Sequence, residues 1–150
     1  MALYEKSMIL IAHRGNIFGP QPNLENNPLY LDNALSEGYH VEIDVWCKDN
    51  EIFLGHDEPQ YKTSIKYLKN DKFWCHCKDV ESLRCLLDNN IHCFYHEEDH
   101  ATLTSKGYIW TFPNKKLAKG AVCVMPEQGI NGSLENCSGV CSDYIGIYRI

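Results

Sequence analysis

About seven or eight short runs rich in β-branched and aromatic residues share one chain of 150 residues, and this crowding constrains the fold more than any other feature. The runs cover residues 8–13, 40–46, 52–54, 73–77, 91–95, 108–112, 121–125 and 140–144. Between them lie two segments with helical patterning. Asn27-Pro28 supplies an N-cap and a first-turn proline, Leu31, Ala34 and Leu35 form an apolar stripe, and Gly38 stops the helix. Asp79 caps a second helix that carries Val80, Leu83, Leu86 and Leu87 and ends at Asn89-Asn90. Strands alternating with helices predict an α/β protein with parallel pairing. A usual eight-fold β/α barrel needs about 250 residues and at least about 200. The expectation is therefore one domain over 1–150, a shortened and irregular (β/α) TIM-type barrel with several outer helices missing.

Bulk properties narrow the class. Apolar residues make up 44% and charged residues 23%, so the chain can bury a core. The formal net charge of −6 argues against nucleic acid as a partner. No run is long enough for a transmembrane helix, so no stable membrane insertion is expected. Glu5 stands where a secretory leader would carry basic residues. The eight cysteines sit mostly inside apolar runs, which predicts reduced, buried thiols and a cytoplasmic protein. Neither Cys75-x-Cys77 nor Cys137-x-x-x-Cys141 has the paired spacing of a structural zinc site.

The chemistry-bearing residues collect near the ends of these runs. Glu42 and Asp44 alternate with Val41, Ile43 and Val45, so both carboxylates point to one side of a strand while the apolar residues face a packed layer. Two carboxylates turned inward repel each other and lose hydration. A divalent cation between them removes that cost, and oxygen ligands favour magnesium or calcium. The same parity puts His76 and Lys78 on one face and Cys75 and Cys77 on the other. His13 and His56 each end a strand-like run. Two imidazoles suit the paired proton transfers of phosphodiester cleavage, and Arg14 offers a planar fork for phosphate oxygens. The loop 15–27 is too long for an ordinary connection and reads as functional.

The order His13-Arg14-Gly15, Leu24-Glu25-Asn26, Glu42-Ile43-Asp44 and Gly55-His56-Asp57 resembles the glycerophosphodiester phosphodiesterase family, within the superfamily of phosphatidylinositol-specific phospholipase C. The resemblance is dense over residues 9–57 and fainter in Cys75-His76-Cys77-Lys78, Ile109-Trp110-Thr111 and 139–144. It implies a barrel of the eight-fold β/α type and metal-assisted hydrolysis of a glycerophosphodiester. By it, His13 and His56 form the acid/base pair, Arg14 and Lys78 bind phosphate, and Glu42 and Asp44 hold the metal. The family often has a third carboxylate where this chain has His76. A histidine ligand there shifts the site toward manganese or zinc. Glu25 and Glu127 are further oxygen donors, and His96 falls at the end of a strand-like run.

Other readings stand beside this one. The same two-histidine, two-acid arrangement resembles sphingomyelinase D-type enzymes, whose substrates are lipids. A degenerate domain binding a phosphorylated ligand or a protein is another reading. His96-Glu97-Glu98-Asp99-His100 matches the HExxH pattern of zinc peptidases, which requires both histidines on one helix face. The apolar run before it and the acidic triplet within it argue against that helix.

Overall fold

A computed structural model describes residues 8–149. Residues 1–7, on which the expectation about a secretory leader rests, lie outside the described residues. The elements run in the order β1 (Ile9–His13), α1 (Pro28–Ser36), β2 (His40–Lys48), β3 (Glu51–Leu54), β4 (Tyr61–Thr63), α2 (Ile65–Leu68), β5 (Phe73–Cys77), α3 (Val80–Asp88), β6 (Cys93–Phe94), β7 (Ala101–Leu103), β8 (Ile109–Thr111), β9 (Val122–Val124) and β10 (Gly139–Ser142). Three 3-10 turns follow β9 and flank β10.

The ten strands form one curled, mixed sheet, a half-barrel. Its spine is parallel: β6 pairs β5, then β2, β1, β10, β9 and β8 follow in turn. Two antiparallel extensions branch from it, β2–β3–β4 and β8–β7. The expected shortened, irregular (β/α) TIM-type barrel with several outer helices missing is thus incorrect: the sheet is a curled half-barrel of mixed pairing. Crossovers after β8 and β9 are loops and 3-10 turns, because 10 or so residues punctuated by Pro113, Gly120, Pro126 and Gly129 cannot hold a packed helix. Among the described residues only α1 and α3 are nine-residue helices, and α2 is a single turn. Among the described residues no helix is long and apolar enough to cross a membrane.

The two faces of the spine border two different cores. On one face Val41, Ile43, Val45, Phe73, Cys75, Cys77, Cys93 and Val140 pack with Leu31 and Ala34 of α1 and Leu86 of α3. On the other, Ile11, Trp74, Phe94, Trp110, Val122, Val124 and Cys141 fill the curl of the sheet. Trp74 and Trp110 lie with ring centroids 5.7 Å apart, and Phe94 lies 4.6 Å from Trp110. This aromatic plug is the floor of the site. Residues two positions further along the same strands, His13, His76 and His96, stand above it. All eight cysteines are free thiols, six of them buried.

Several elements differ from the sequence reading. The strand expected at 91–95 shrinks to Cys93–Phe94, and Tyr61–Thr63, Ile65–Leu68 and Ala101–Leu103 were not anticipated. They are too short for periodicity to register. Both helix caps are as expected: Asn27 accepts from Leu29 N at 3.0 Å and Asp79 from Ser82 N at 2.8 Å.

Candidate active site

The site begins with Asp44, which is fully buried at the centre of β2. Asn26 clamps it at two points. Asn26 Nδ2 donates to Asp44 Oδ2, and Asp44 N donates to Asn26 Oδ1, each at 2.9 Å. Arg14 Nε lies 3.3 Å from the same Oδ2. The other oxygen, Oδ1, faces His76 Nδ1 at 3.2 Å and Lys78 Nζ at 3.8 Å. Glu42, one turn of the pleat earlier, is also buried and lies 3.9 Å from His76 Nδ1.

Glu42 Oε1 and Asp44 Oδ1 are buried and make no well-formed hydrogen bond. Such orphans are costly unless something else satisfies them. Burial and the neighbouring Asp44 charge push the Glu42 carboxyl up. Burial acts on Asp44 too, but contacts from His56 and His76 and the charge of Arg14 outweigh it and hold Asp44 well below the usual carboxylate range. Glu42, Asp44 and His76 each offer a ligand atom within 4.8 Å of the others. Two orphaned carboxylate oxygens and one imidazole nitrogen fit a divalent cation, so this buried group can hold a metal ion.

His13 occupies the end of β1, level with Glu42. Its Nδ1 meets Asp143 Oδ1 at 2.7 Å, and its Nε2 turns toward Glu42 Oε1 at 4.0 Å. Burial alone would lower the imidazole pKa, but Glu42 and Asp143 more than offset it, and the net direction is up. Asp143 is itself fixed. Asn16 Nδ2 donates to it at 2.9 Å, and its backbone N–H donates to Glu127 Oε2 at 3.0 Å. Ser142 Oγ donates to the other Glu127 oxygen at 2.8 Å.

His56 arrives at the end of the return strand of a hairpin. It follows β3, which runs antiparallel to β2, so the hairpin brings Gly55 back alongside Asp44 with Gly55 N bonded to Asp44 O at 3.1 Å. Gly55 has φ +155°, and a Cβ there would meet Glu58 O at 2.1 Å, so only glycine closes this turn. His56 Nδ1 accepts from Arg14 Nη2 at 2.7 Å. Arg14 Nη1 donates to Glu25 Oε1 at 3.3 Å.

The fold therefore brings His13, Arg14, Glu42, Asp44, His56, His76 and Lys78 to one end of the sheet. Glu25 braces Arg14, and Glu127 braces the Asp143 backbone; neither stands in the group that can hold a metal. His96 stacks on His76 with ring centroids 4.2 Å apart and meets Phe112 at 4.1 Å. The segment around His96 and His100 contains no helix, so the HExxH match lacks the geometry a zinc peptidase needs. Asp143, Asn16 and Asn26 were not singled out as site residues. Asp143 carried a usable signal: it follows Cys141 at the same spacing by which His13 follows Ile11.

Comparison with family models, curated proteins and solved structures finds no match for this chain.

Proposed function

We propose that this protein hydrolyses a phosphodiester with the help of a divalent metal ion, and that its substrate is a small glycerophosphodiester. The observation that carries the reading is the convergence of two imidazoles, an arginine and a lysine on a buried carboxylate pair whose outer oxygens lack hydrogen bonds. The motif resemblance over residues 9–57 supports it independently of the geometry.

A metal on Glu42, Asp44 and His76 would polarise a phosphoryl oxygen and neutralise charge as it develops. Two carboxylates suit magnesium or calcium, and the His76 nitrogen brings manganese and zinc into range. Arg14 and Lys78 orient the phosphate. His56 is the base: once a bound phosphate engages Arg14, the Nδ1 lone pair that Arg14 occupies is released to take a proton from the attacking hydroxyl. His13, held by Asp143 and biased toward the charged form, gives its proton to the leaving oxygen. The attacking group is a neighbouring hydroxyl of the substrate, as the resemblance implies; it displaces the leaving alcohol to give a cyclic phosphodiester, which water then opens with the two imidazoles in exchanged roles. The cleft bordered by His13, Arg14, Glu42, His56 and His76 has a volume of about 230 Å³, which suits a small ester better than a diacyl lipid. We place the reaction in the cytoplasm, in keeping with the eight free thiols.

The test is turnover. Protein supplied with magnesium, calcium, manganese or zinc is expected to cleave glycerophosphodiesters, and His13→Ala and His56→Ala are each expected to abolish cleavage. Absence of turnover with every metal, or full activity in either variant, would overturn the reading.

A further inference from the structure

Two recesses meet at Arg14 and His56, and their walls differ in chemistry. One, of about 230 Å³, is walled on its far side by Phe112, Pro113, Val124 and Met125. The other, of about 200 Å³, is polar and bordered by Glu25, Asn26, Glu58 and Gln60. Both include Arg14 and His56 in their lining, so a phosphate held there would direct its two alcohols into opposite recesses.

We propose that the site takes an unsymmetrical diester, with its hydroxylated alcohol in the polar recess and an aromatic ring against Phe112 and Met125. This rests on the phosphodiesterase reading and adds the identity of the second alcohol. The far wall continues a row of rings: Phe94 stacks on His76, His76 on His96, and His96 meets Phe112. Aromatic edges and faces recognise another ring better than a polyol, whose hydroxyls would lose water against this wall without gaining partners. Met125 adds a polarizable thioether, which favours ring contacts. Its backbone is left-handed, with φ +51°, in a buried, bulky residue, and its N–H is bonded to Cys141 O at 2.7 Å. A conformation that costs about 1 kcal/mol is retained where the strand end borders the cleft.

The experiment compares phenylphosphonate and methylphosphonate by calorimetry, with magnesium present throughout. Wild-type protein is expected to bind the phenyl compound about tenfold more tightly, the effect of covering one ring face. Phe112→Ala is expected to bring the ratio toward one, and Phe112→Leu to fall between. Equal affinities in the wild type, binding of neither compound, or an unchanged ratio in both variants would overturn the assignment. The wild-type ratio decides even if a variant fails to fold. Turnover of a glycerophosphodiester separates the two readings. A phenyl preference without turnover defeats hydrolysis but leaves the ring subsite, whereas turnover without a phenyl preference defeats only the subsite.

Discussion

At the scale of single residues, the site depends on groups whose partners set their charge. Asp143 holds the Nδ1 side of His13 and helps raise its pKa. Asp143→Asn should lower kcat by about a hundredfold or more, by analogy with other imidazoles that lose an orienting carboxylate. The limb of the pH profile that reports His13 should move to lower pH. A change in KM alone, with that limb fixed, would show that Asp143 does not orient His13. His92 is the opposite case. It is buried, and its Nε2 lies 2.8 Å from Thr104 Oγ1. That hydroxyl also accepts from Tyr108 N at 3.2 Å. Burial, with the charges of Lys106 and His40 behind it, lowers the imidazole pKa from 6.5 to about 4. The unfolded chain therefore takes up this proton first. Stability is fully present above pH 6.5 and falls as pH drops toward 4. Urea midpoints at pH 7 and pH 5 should differ, and by less in His92→Gln; equal differences in the two proteins would remove His92 as the cause.

At the scale of elements, α3 shows how a local signal positions a distant group. Asp79 ends the turn after Lys78 and caps α3. It accepts from Ser82 N at 2.8 Å and from Ser82 Oγ at 2.6 Å, while Lys48 Nζ reaches its other oxygen at 3.0 Å. Ser82 Oγ in turn accepts from Cys47 N at 2.8 Å, tying the helix start to β2. Asp79→Ala should cost about 1–2 kcal/mol in denaturant unfolding, and Asp79→Asn less, because asparagine also caps. Equal losses would mean that charge with Lys48, rather than capping, is what matters. The caps and the parity of β1, β2 and β5 are readable in the chain because they depend on neighbours within a few residues. The three-residue strands β4 and β7 are not, since their pairing with β3 and β8 comes from partners the local sequence does not reveal.

At the scale of the whole molecule, the curl of the sheet brings the buried acid pair of β2 and His76 of β5 together above a plug of Trp74, Phe94 and Trp110. A divalent ion that binds only the folded protein should raise its stability by about 2.7 kcal/mol at a free concentration a hundred times Kd. Thermal unfolding with and without metal should show this as a rise in Tm of several degrees, and Glu42→Gln should lose most of it. No shift with magnesium, calcium, manganese or zinc would mean that the Glu42, Asp44 and His76 group holds none of them. The sequence by itself determined that Glu42 and Asp44 share a strand face, that His76 and Lys78 share another, and that Asn27 and Asp79 begin helices, because strand parity and capping are short-range properties. Only the tertiary structure decided that the curled sheet is a half-barrel of mixed pairing, that the hairpin register sets Gly55 beside Asp44, and that Asn26 and Asp143 complete the site. Those outcomes depend on which strands pair and in what register, and that is settled by packing between segments far apart in the chain.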